Sequence, residues 1–305
     1  MTALRQLEFP DAAPLELVSV GDWWRFAVSC LVRSDAEFGQ SSADAGQDAL
    51  FLVLGALDLP LDSFDQMHGF ALTNSERKHV FNALRKRVLD RVPTAYVLGF
   101  AEQMGLRFVV DERVLIPRSY IGELLAGGLR DCIDDPASIA SVLDLCTGSG
   151  CLAILAANAF PDADVTAVDI SADALDVARE NVALHGLDDV VSLHQGDLFA
   201  PLGKARFDLI ISNPPYVTAE SMAMLPQEFR HEPELALAAG DDGNDILRRM
   251  LQEAKAHLTP DGILLVDMGH NRDLVEAAFP RLPFMWLATE SGDAGVFMLH
   301  ARDLP

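Results

Sequence analysis

The sequence predicts an α/β fold, with a largely parallel sheet covered by helices and a smaller all-helical domain before it. From residue 120 onward, β-rich apolar runs alternate with helix-length segments, which is typical of βαβ units. Residues 1–100 show no strand alternation, and short β-rich runs follow them. We therefore expect a helical domain at 1–100, a β-hairpin linker at 101–119 and a larger domain at 120–305.

Three helices are predicted in the first domain. Two of them cover Val18–Val32 and Asp44–Leu57. The third runs to Arg91 and begins after Thr73 or Ser75, either of which could cap it. These segments account for the helical character of the domain.

The linker and the larger domain are predicted as a hairpin followed by alternating elements. The hairpin pairs Leu106–Val110 with Val114–Ile116 across a turn at 111–113. Helices are expected at 121–131, 150–159, 172–185 and 244–257. Strands are expected at 141–147, 164–170, 190–195, 207–212, 262–268, 284–290 and 296–301, with a loop at 291–295 joining the last two.

Composition restricts the class of protein. Half of the 305 residues are hydrophobic, so the chain can bury a substantial core. No signal-peptide segment or apolar run of about 20 residues is evident, and we expect a soluble, cytoplasmic protein. The four cysteines and the histidines show no metal-ligand spacing, so reduced thiols and no metal are expected. The cysteines are Cys30, Cys132, Cys146 and Cys151.

The net charge of −23, from 46 acidic and 23 basic residues, argues against a protein that holds nucleic acid on its own surface. The densest basic stretch, Arg85–Arg87, is interpreted as a solvated helix face. An acidic protein can act on a basic protein, because opposite charges steer encounter. The charge is compatible with a basic protein substrate.

A glycine turn follows the first predicted strand of the larger domain. Gly148 and Gly150 let the backbone approach a ligand at the carboxyl end of that strand. Their spacing also fits the dinucleotide pattern G-x-G-x-x-A, which alone is a weak signal.

Acidic residues strengthen the case for a nucleoside cofactor. Asp169 ends the second strand, where a carboxylate can bind both ribose hydroxyls, and Asp197 follows the third, within reach of an adenine amino group. Asp169 does not distinguish NAD from S-adenosylmethionine, since both carry an adenosine ribose. Asp144, just before the glycine turn, suits a cationic ammonium or sulfonium better than a pyrophosphate.

The fourth strand decides between the two cofactors, because it leads into Asn213-Pro214-Pro215-Tyr216 at the same edge. Consecutive prolines fix φ and remove two N–H donors, which leaves a stiff turn. The Asn213 side-chain oxygen and the Pro214 carbonyl could accept both hydrogens of an –NH2 group, and Tyr216 could form an aromatic wall. This element predicts methyl transfer from S-adenosylmethionine to a planar amide or amine nitrogen.

With these motifs, the chain resembles the class I methyltransferases that modify glutamine side chains of proteins, the N5-glutamine family. The resemblance extends from about Thr73 to Leu304. It implies a Rossmann-like seven-stranded sheet, a helical N-terminal domain that binds the protein substrate, and S-adenosyl-L-methionine as methyl donor, with S-adenosyl-L-homocysteine as product.

The resemblance also assigns roles to residues, by motif. It places Cys146, Thr147, Gly148, Ser149 and Gly150 at the methionine end of the cofactor, Asp169 at the ribose, and Asp197 and Leu198 in the adenine turn 196–199. It implies that Asn213, Pro214, Pro215 and Tyr216 hold the glutamine amide, with Asn213 also near the cofactor.

Two branches of the family differ in substrate: one modifies peptide-chain release factors, the other ribosomal protein number three of the large subunit. The segment 110–119 with Ile121–Leu124 resembles the ribosomal branch, as do Cys146 and 295–299. Two departures from the usual pattern are the run 267–270 and Tyr120.

Other functions and roles stay open from sequence. A release-factor methyltransferase, a nucleic-acid amino methyltransferase acting on adenine N6 or cytosine, and an NAD-dependent oxidoreductase or silent Rossmann module are the alternatives. Arg118 could contact substrate or cofactor, or form an interdomain salt bridge. Residues 231–234 could form a lid over the substrate or a surface loop without a role.

Overall fold

The structure is a computed structural model that describes residues 9–130, 132–133, 135–289 and 292–305. The chain divides into two compact units. The first contains Met1–Ala101 and Pro226–His231, and the second contains Glu102–Leu225 and Glu232–Pro305. Among the described residues, no helix is long and apolar enough to cross a membrane.

Helices build the first unit, as the sequence predicts. Thr73, not Ser75, caps the fourth helix in a reciprocal capping box with Glu76, and Ser19 caps the first in the same way with Asp22. Buried apolar side chains of three helices, including Trp23, form its core. The helices are α1 Val20–Arg33, α2 Ala45–Ala56, α3 Phe64–Met67, α4 Asn74–Leu89 and α5 Thr94–Leu98.

A buried ion network explains why Pro226–His231 belongs to the helical unit. The Glu228 carboxylate accepts hydrogen bonds from Arg87 Nη1 at 3.0 Å and from Arg91 Nη2 at 2.7 Å. Arg87 is itself buried and also donates to Asp48 at 2.8 Å. Burial raises the pKa of Glu228, but the bonds from Arg91 and the other donors outweigh that effect and lower it, so the carboxylate is charged.

The hairpin exists, but its predicted register is wrong. It pairs β1 Phe100–Gln103 with β2 Leu106–Val109, and Val114–Ile116 forms no strand. Met104 and Gly105 both have positive φ, at 51° and 75°, which is the requirement of the tight hairpin turn between them. The chain does turn at 111–114, where the Val114 amide donates to the Asp111 carbonyl, but without strand pairing.

A seven-stranded sheet forms the centre of the second unit, which confirms the predicted α/β fold. The strand order is β5-β4-β3-β6-β7-β9-β8; the first five are parallel, and β9 runs antiparallel to both of its neighbours. The strands are β3 Ser141–Leu145, β4 Asp164–Asp169, β5 Val191–Gln195, β6 Phe207–Ser212, β7 Leu258–Asp267, β8 Met285–Thr289 and β9 Gly292–His300.

The helices of the second unit largely follow the prediction. The first ends at Ala126, earlier than predicted, because Gly127 and Gly128 follow and Gly128 has a φ of +67°. Asp131, Glu290 and Ser291, at predicted element and loop ends, lie outside the described residues. The helices are α6 Ile121–Ala126, α7 Cys151–Ala159, α8 Ala172–Leu184, α9 Ala219–Ala223, α10 Asp245–Glu253 and α11 Arg272–Ala278; α9 and α11 were not predicted.

Both faces of the central strands are buried, and this explains their continuous apolar sequences. Along β6, Leu209 and Ile211 contribute to one hydrophobic cluster and Ile210 to another. Side chains alternate between the two faces of a strand, so a strand covered on both sides has apolar residues at consecutive positions. The apolar run thus marks β6 as a central strand whose carboxyl end is rigidly held.

We expect Glu228→Ala to lower the free energy of unfolding of the helical unit by about 3 kcal/mol, because it leaves buried Arg87 with one carboxylate fewer. In a Trp286→Phe background, Trp23 and Trp24 of α1 are the remaining tryptophans, so their fluorescence follows urea unfolding of this unit alone.

The matched control is Asp62→Ala, which changes an exposed acidic residue of the same unit and should leave the urea midpoint unchanged. Equal midpoints for Glu228→Ala and Asp62→Ala would contradict a stabilising ion network.

Candidate active site

Parallel register brings three strand ends to one edge of the sheet. Leu145, the last residue of β3, pairs with Val168 of β4 and with Ser212 of β6. The residues that come next, Cys146 and Asn213, therefore lie at the same level as Asp169 at the end of β4. Ligands of open parallel sheets bind at this edge.

A cavity of about 340 Å³ opens at this edge, a size within the usual range for small-molecule sites. Nine of the thirteen site residues predicted from sequence line it. They are Cys146, Thr147, Gly148, Ser149, Asp169, Asp197, Leu198, Asn213 and Pro215. Asp144, Gly150, Pro214 and Tyr216 are not among its lining residues.

Asp144 supports the glycine turn from inside the protein. Its side chain is fully buried, and Oδ2 accepts hydrogen bonds from Thr147 Oγ1 at 2.6 Å and from the Ala153 amide at 3.0 Å. These bonds join the end of β3 to the first turn of α7. Burial raises the pKa of Asp144 to about 7, and the two hydrogen bonds offset part of that rise.

The two glycines of the turn have different tasks. Gly148 has a φ of +56°, and a Cβ atom added there would find no atom within 4 Å, so the backbone faces open space. Gly150, with a φ of +79°, would place a Cβ 3.2 Å from the Cβ of Ala178 in α8. Gly148 leaves room for a ligand, and Gly150 allows close helix packing.

Asp169 is held in place by backbone amides. Gly148 N–H donates to Oδ2 at 2.8 Å and Ser171 N–H donates to Oδ1 at 2.9 Å. Burial raises the pKa of Asp169, and these amides oppose that rise. Ser171 caps α8, since its side chain accepts the Ala174 amide. The carboxylate is therefore oriented at the cavity wall and keeps acceptor capacity for hydroxyl groups.

Asp197 has a partner that the sequence did not indicate. Arg249 of α10 lines the same cavity and donates to Asp197 Oδ2 at 2.8 Å; both side chains are about half exposed. The two residues are 52 positions apart, so no local pattern could reveal the pair. Arg249 orients the carboxylate that was predicted to meet an adenine amino group.

The Asn213–Tyr216 turn holds an unusual acceptor. Asn213 Oδ1 is buried and has no hydrogen-bond partner among the residues that the structure describes. All peptide bonds there are trans. Buried amide oxygens nearly always have a partner, so this orphan, in a residue that lines the cavity, is a candidate for ligand binding.

Tyr216 is held from behind by the loop after β7. Asn271 donates to its carbonyl oxygen, and a Cβ added at Gly269 would lie 2.7 Å from the Tyr216 ring. Asp267 is the first residue of the 267–270 run, which departs from the family pattern. It accepts a hydrogen bond from the Gly269 amide at 2.9 Å. Burial, with the charge of Asp267, raises the pKa of Tyr216 to about 12, so the phenol is neutral at physiological pH.

Asn181 is a buried support that sequence analysis missed. Its amide nitrogen donates to the carbonyls of Ser149 and Val109, at 2.9 and 3.0 Å, and its oxygen accepts the Val109 amide. It thus ties α8 to the glycine turn and to the hairpin. A single asparagine within a helix carries no sequence signal for such a role.

The residues at the cavity fit S-adenosylmethionine. The open space at Gly148 accommodates a ligand against the backbone, and the Asp169 carboxylate suits ribose hydroxyls. The nearby acids suit a positively charged ligand. Within the described residues, no group of three or more His, Cys, Asp or Glu side chains could hold a metal ion.

Comparison with known proteins gives concordant matches. The methyltransferase small domain family model matches residues 129–278. A ribosomal protein uL3 glutamine methyltransferase of Burkholderia pseudomallei is 50% identical over 300 residues, which cover 96% of this chain and 98% of the relative. A protein of the same name from Bradyrhizobium diazoefficiens is 50% identical over 295 residues, covering 95% and 92% of the two chains. One from Bordetella pertussis is 48% identical over 289 residues, covering 95% and 97%.

We expect Asp144→Asn to remove a pH dependence of stability. The unfolded carboxyl ionises near 3.8, whereas the folded one keeps its proton to about 7. The stability that this carboxyl group contributes is therefore fully present below 3.8, its pKa in the unfolded chain. It is lost as the pH rises through about 7, its pKa in the folded protein. At about 1.4 kcal/mol per pKa unit, the wild type should lose about 2 kcal/mol between pH of about 5.5 and about 8.5.

Urea unfolding of wild type and Asp144→Asn at several pH values measures this effect as the difference between the two curves, so that other titrating groups cancel. The free energy of unfolding of the variant should increase relative to that of the wild type as the pH rises. Parallel stability curves would show that Asp144 is ionised throughout this window.

We expect Gly148→Ala to weaken binding of S-adenosylhomocysteine at least about tenfold, because the new methyl group would occupy the space against the backbone. Gly186→Ala is the matched control: Gly186 also has positive φ, at +66°, and nothing within 4 Å of an added Cβ, but it does not line the cavity. Calorimetric titration measures both. Equal affinities in the two variants would remove Gly148 from the cofactor site.

Proposed function

Because the chain belongs to the ribosomal protein uL3 glutamine methyltransferase family, we propose that it methylates the side-chain nitrogen of a glutamine in ribosomal protein uL3, using S-adenosylmethionine. It is an enzyme of the methyltransferase class. The observation that supports an amide target best is Asn213, a cavity-lining residue whose buried Oδ1 has no hydrogen-bond partner within the described part of the chain. The ribosomal branch of the resemblance stated from sequence agrees with the names of the relatives.

Binding and alignment are the main contributions of the turn to catalysis. In the proposed complex, Asn213 Oδ1 and the Pro214 carbonyl accept the two hydrogens of the glutamine –NH2 group. This fixes the nitrogen in line for attack, and alignment of this kind can supply a large part of a rate enhancement. Bound S-adenosylmethionine supplies a methyl group on a sulfonium, with S-adenosylhomocysteine as product. A carbon–nitrogen bond forms as a carbon–sulfur bond breaks, and the nitrogen loses a proton afterwards.

Tyr216 acts in this proposal as a neutral wall and not as a base. Its raised pKa of about 12 keeps the proton on the phenol, and Asn271 with Gly269 fixes its backbone and ring. A flat amide packed against a fixed ring has little freedom to rotate. Pro215, which lines the cavity, completes the rigid turn.

The cofactor residues have proposed roles that follow their geometry. Cys146, Thr147, Gly148 and Ser149 would contact the methionine part, and Asp169 the ribose hydroxyls. Asp197 and Leu198 would contact adenine, with Arg249 orienting Asp197. Asp144 and Gly150 would act from behind, by supporting the turn and by helix packing. No metal takes part in this scheme.

The functions of the three segments predicted from sequence are also proposals. Residues 1–100 would bind the protein substrate, 101–119 would link, and 120–305 would carry the chemistry. A net charge of −23 favours a basic ribosomal protein as partner over direct contact with nucleic acid. A ribosomal protein as substrate supports a cytoplasmic location of the enzyme.

Methyl transfer can be tested with labelled S-adenosylmethionine and uL3 taken from cells that lack the modification. We expect label on one glutamine, located by mass spectrometry of peptides. Parallel reactions with release factors and with protein-free RNA and DNA distinguish the other acceptors. Label on a release factor or on a nucleic acid, with none on uL3, would overturn the proposed substrate.

We expect Asn213→Ala to lower kcat/KM for the protein substrate by about 100-fold, because a misplacement of the reacting atoms by about 1 Å can cost that much. The dissociation constant of S-adenosylhomocysteine should change less than about threefold, as the other lining residues remain. Asn158→Ala is the control, because Asn158 bonds within α7 and does not line the cavity. Unchanged turnover in Asn213→Ala would remove Asn213 from the mechanism.

A further inference from the structure

Glu232 carries a buried carboxylate with three hydrogen-bond donors, all in the second unit. Its side chain is 0% exposed. Arg118 donates through Nη1 to Oε1 at 2.5 Å and through Nη2 to Oε2 at 2.9 Å, and the Ile116 amide donates to Oε1 at 3.1 Å. This two-pronged geometry is the most specific that an arginine and a carboxylate can form. Both side chains had open roles from sequence alone.

The carboxylate joins two stretches of chain that both line the cavity. One stretch, the 115–119 segment, contributes Leu115, Pro117, Arg118 and Ser119. The other, the 233–238 loop, contributes Pro233, Leu235, Ala236 and Ala238. Glu232 is the residue immediately before that loop, so its position sets where the loop begins.

The far end of the 233–238 loop returns to the proposed catalytic turn. The Val217 amide donates to the Leu237 carbonyl at 2.8 Å, and the Ala239 amide donates to the Val217 carbonyl at 3.0 Å. Val217 directly follows Tyr216. The loop is thus pinned at one end to the residue after Tyr216 and at the other, through Glu232, to Arg118.

We propose that Glu232 is a positioning residue that acts through Arg118 to hold the 233–238 loop as the cavity wall against which the substrate protein packs around its target glutamine. The inference rests on the proposed function. Within the loop, Leu235 is 57% exposed although it lines the cavity, and so offers apolar surface to a bound chain.

Physical argument favours positioning over stability as the main effect of this pair. Removing one partner of a fully buried ion pair is strongly destabilising, but the Arg118 side chain is 22% exposed, so water can solvate part of its charge once Glu232 is neutral. Cofactor contacts depend on other supports: Asp144 braces the glycine turn and two amides hold Asp169. Loss of Glu232 should therefore weaken use of the protein substrate and spare the cofactor.

The test compares Glu232→Gln, Arg118→Lys and the double variant with the wild type. Glutamine keeps the size of Glu232 and one acceptor for the Ile116 amide, but it loses the charge and the two-point contact with Arg118. Asp176→Asn is the matched control, because it removes the charge from an exposed arginine pair on α8. The thermal midpoint of each protein shows that it is folded.

We expect kcat/KM for uL3 to fall at least about tenfold in both single variants. The dissociation constant of S-adenosylhomocysteine should stay within about threefold of the wild type in all proteins. The double variant should lose little more than either single one, because the two side chains act as a unit. Hydrogen exchange gives a readout without turnover: the amides of residues 234–238 should exchange faster in Glu232→Gln, Arg118→Lys and the double variant than in the wild type and Asp176→Asn.

Each other outcome decides against the inference in a distinguishable way. If the wild type labels uL3 and Glu232→Gln is equally active, or shows unchanged hydrogen exchange, the role of Glu232 is overturned. The proposed function then still stands. Equal losses of cofactor affinity and turnover indicate general support of the fold and also overturn it. A wild type that transfers no methyl group to any protein overturns the proposed function, and the inference with it.

Discussion

The parallel pairing of β3 with β4 and β6 is the constraint on which the site depends. Once Leu145 stands level with Val168 and Ser212, the chain has to leave all three strands at one edge. Both faces of these strands are covered by apolar clusters, so a shift in register would expose core side chains. The stability of the core and the assembly of the site are therefore the same requirement.

Behind the cavity wall, buried carboxylates hold the irregular segments that follow those strands. Asp144 braces the glycine turn, Asp267 holds Gly269 and the Tyr120 amide, and Glu232 holds Arg118. Each one accepts at least two hydrogen bonds, which is what makes a buried acid tolerable. Residues that face the cavity can then keep unused hydrogen-bonding capacity, because their backbones are fixed by other groups.

The sequence predicted the parts of the structure that depend on local signals. Apolar strand runs, glycine spacing and the Asn213–Tyr216 turn indicated the sheet and most of its functional edge. The hairpin register was wrong because the deciding feature, positive φ at both Met104 and Gly105, occurs in a turn with only one glycine. The pairs of Glu232 with Arg118 and of Arg249 with Asp197 join residues 114 and 52 positions apart, and no local pattern specifies such contacts.

The chemistry of the prolines explains why Asn213 Oδ1 finds no partner among the residues that the structure describes. An asparagine side chain in a turn ordinarily accepts the backbone N–H two residues later, but that residue is Pro215, which has no N–H. Pro214 has none either, so the local backbone cannot satisfy the oxygen. Its neighbours are satisfied: Ser212 donates to the Leu145 carbonyl and the Tyr216 carbonyl accepts from Asn271. An unpaired buried acceptor costs about 1–3 kcal/mol, and an incoming amide N–H would restore that free energy on binding. The double proline thus does more than stiffen the turn, because it leaves the asparagine oxygen available for the amide of the proposed substrate.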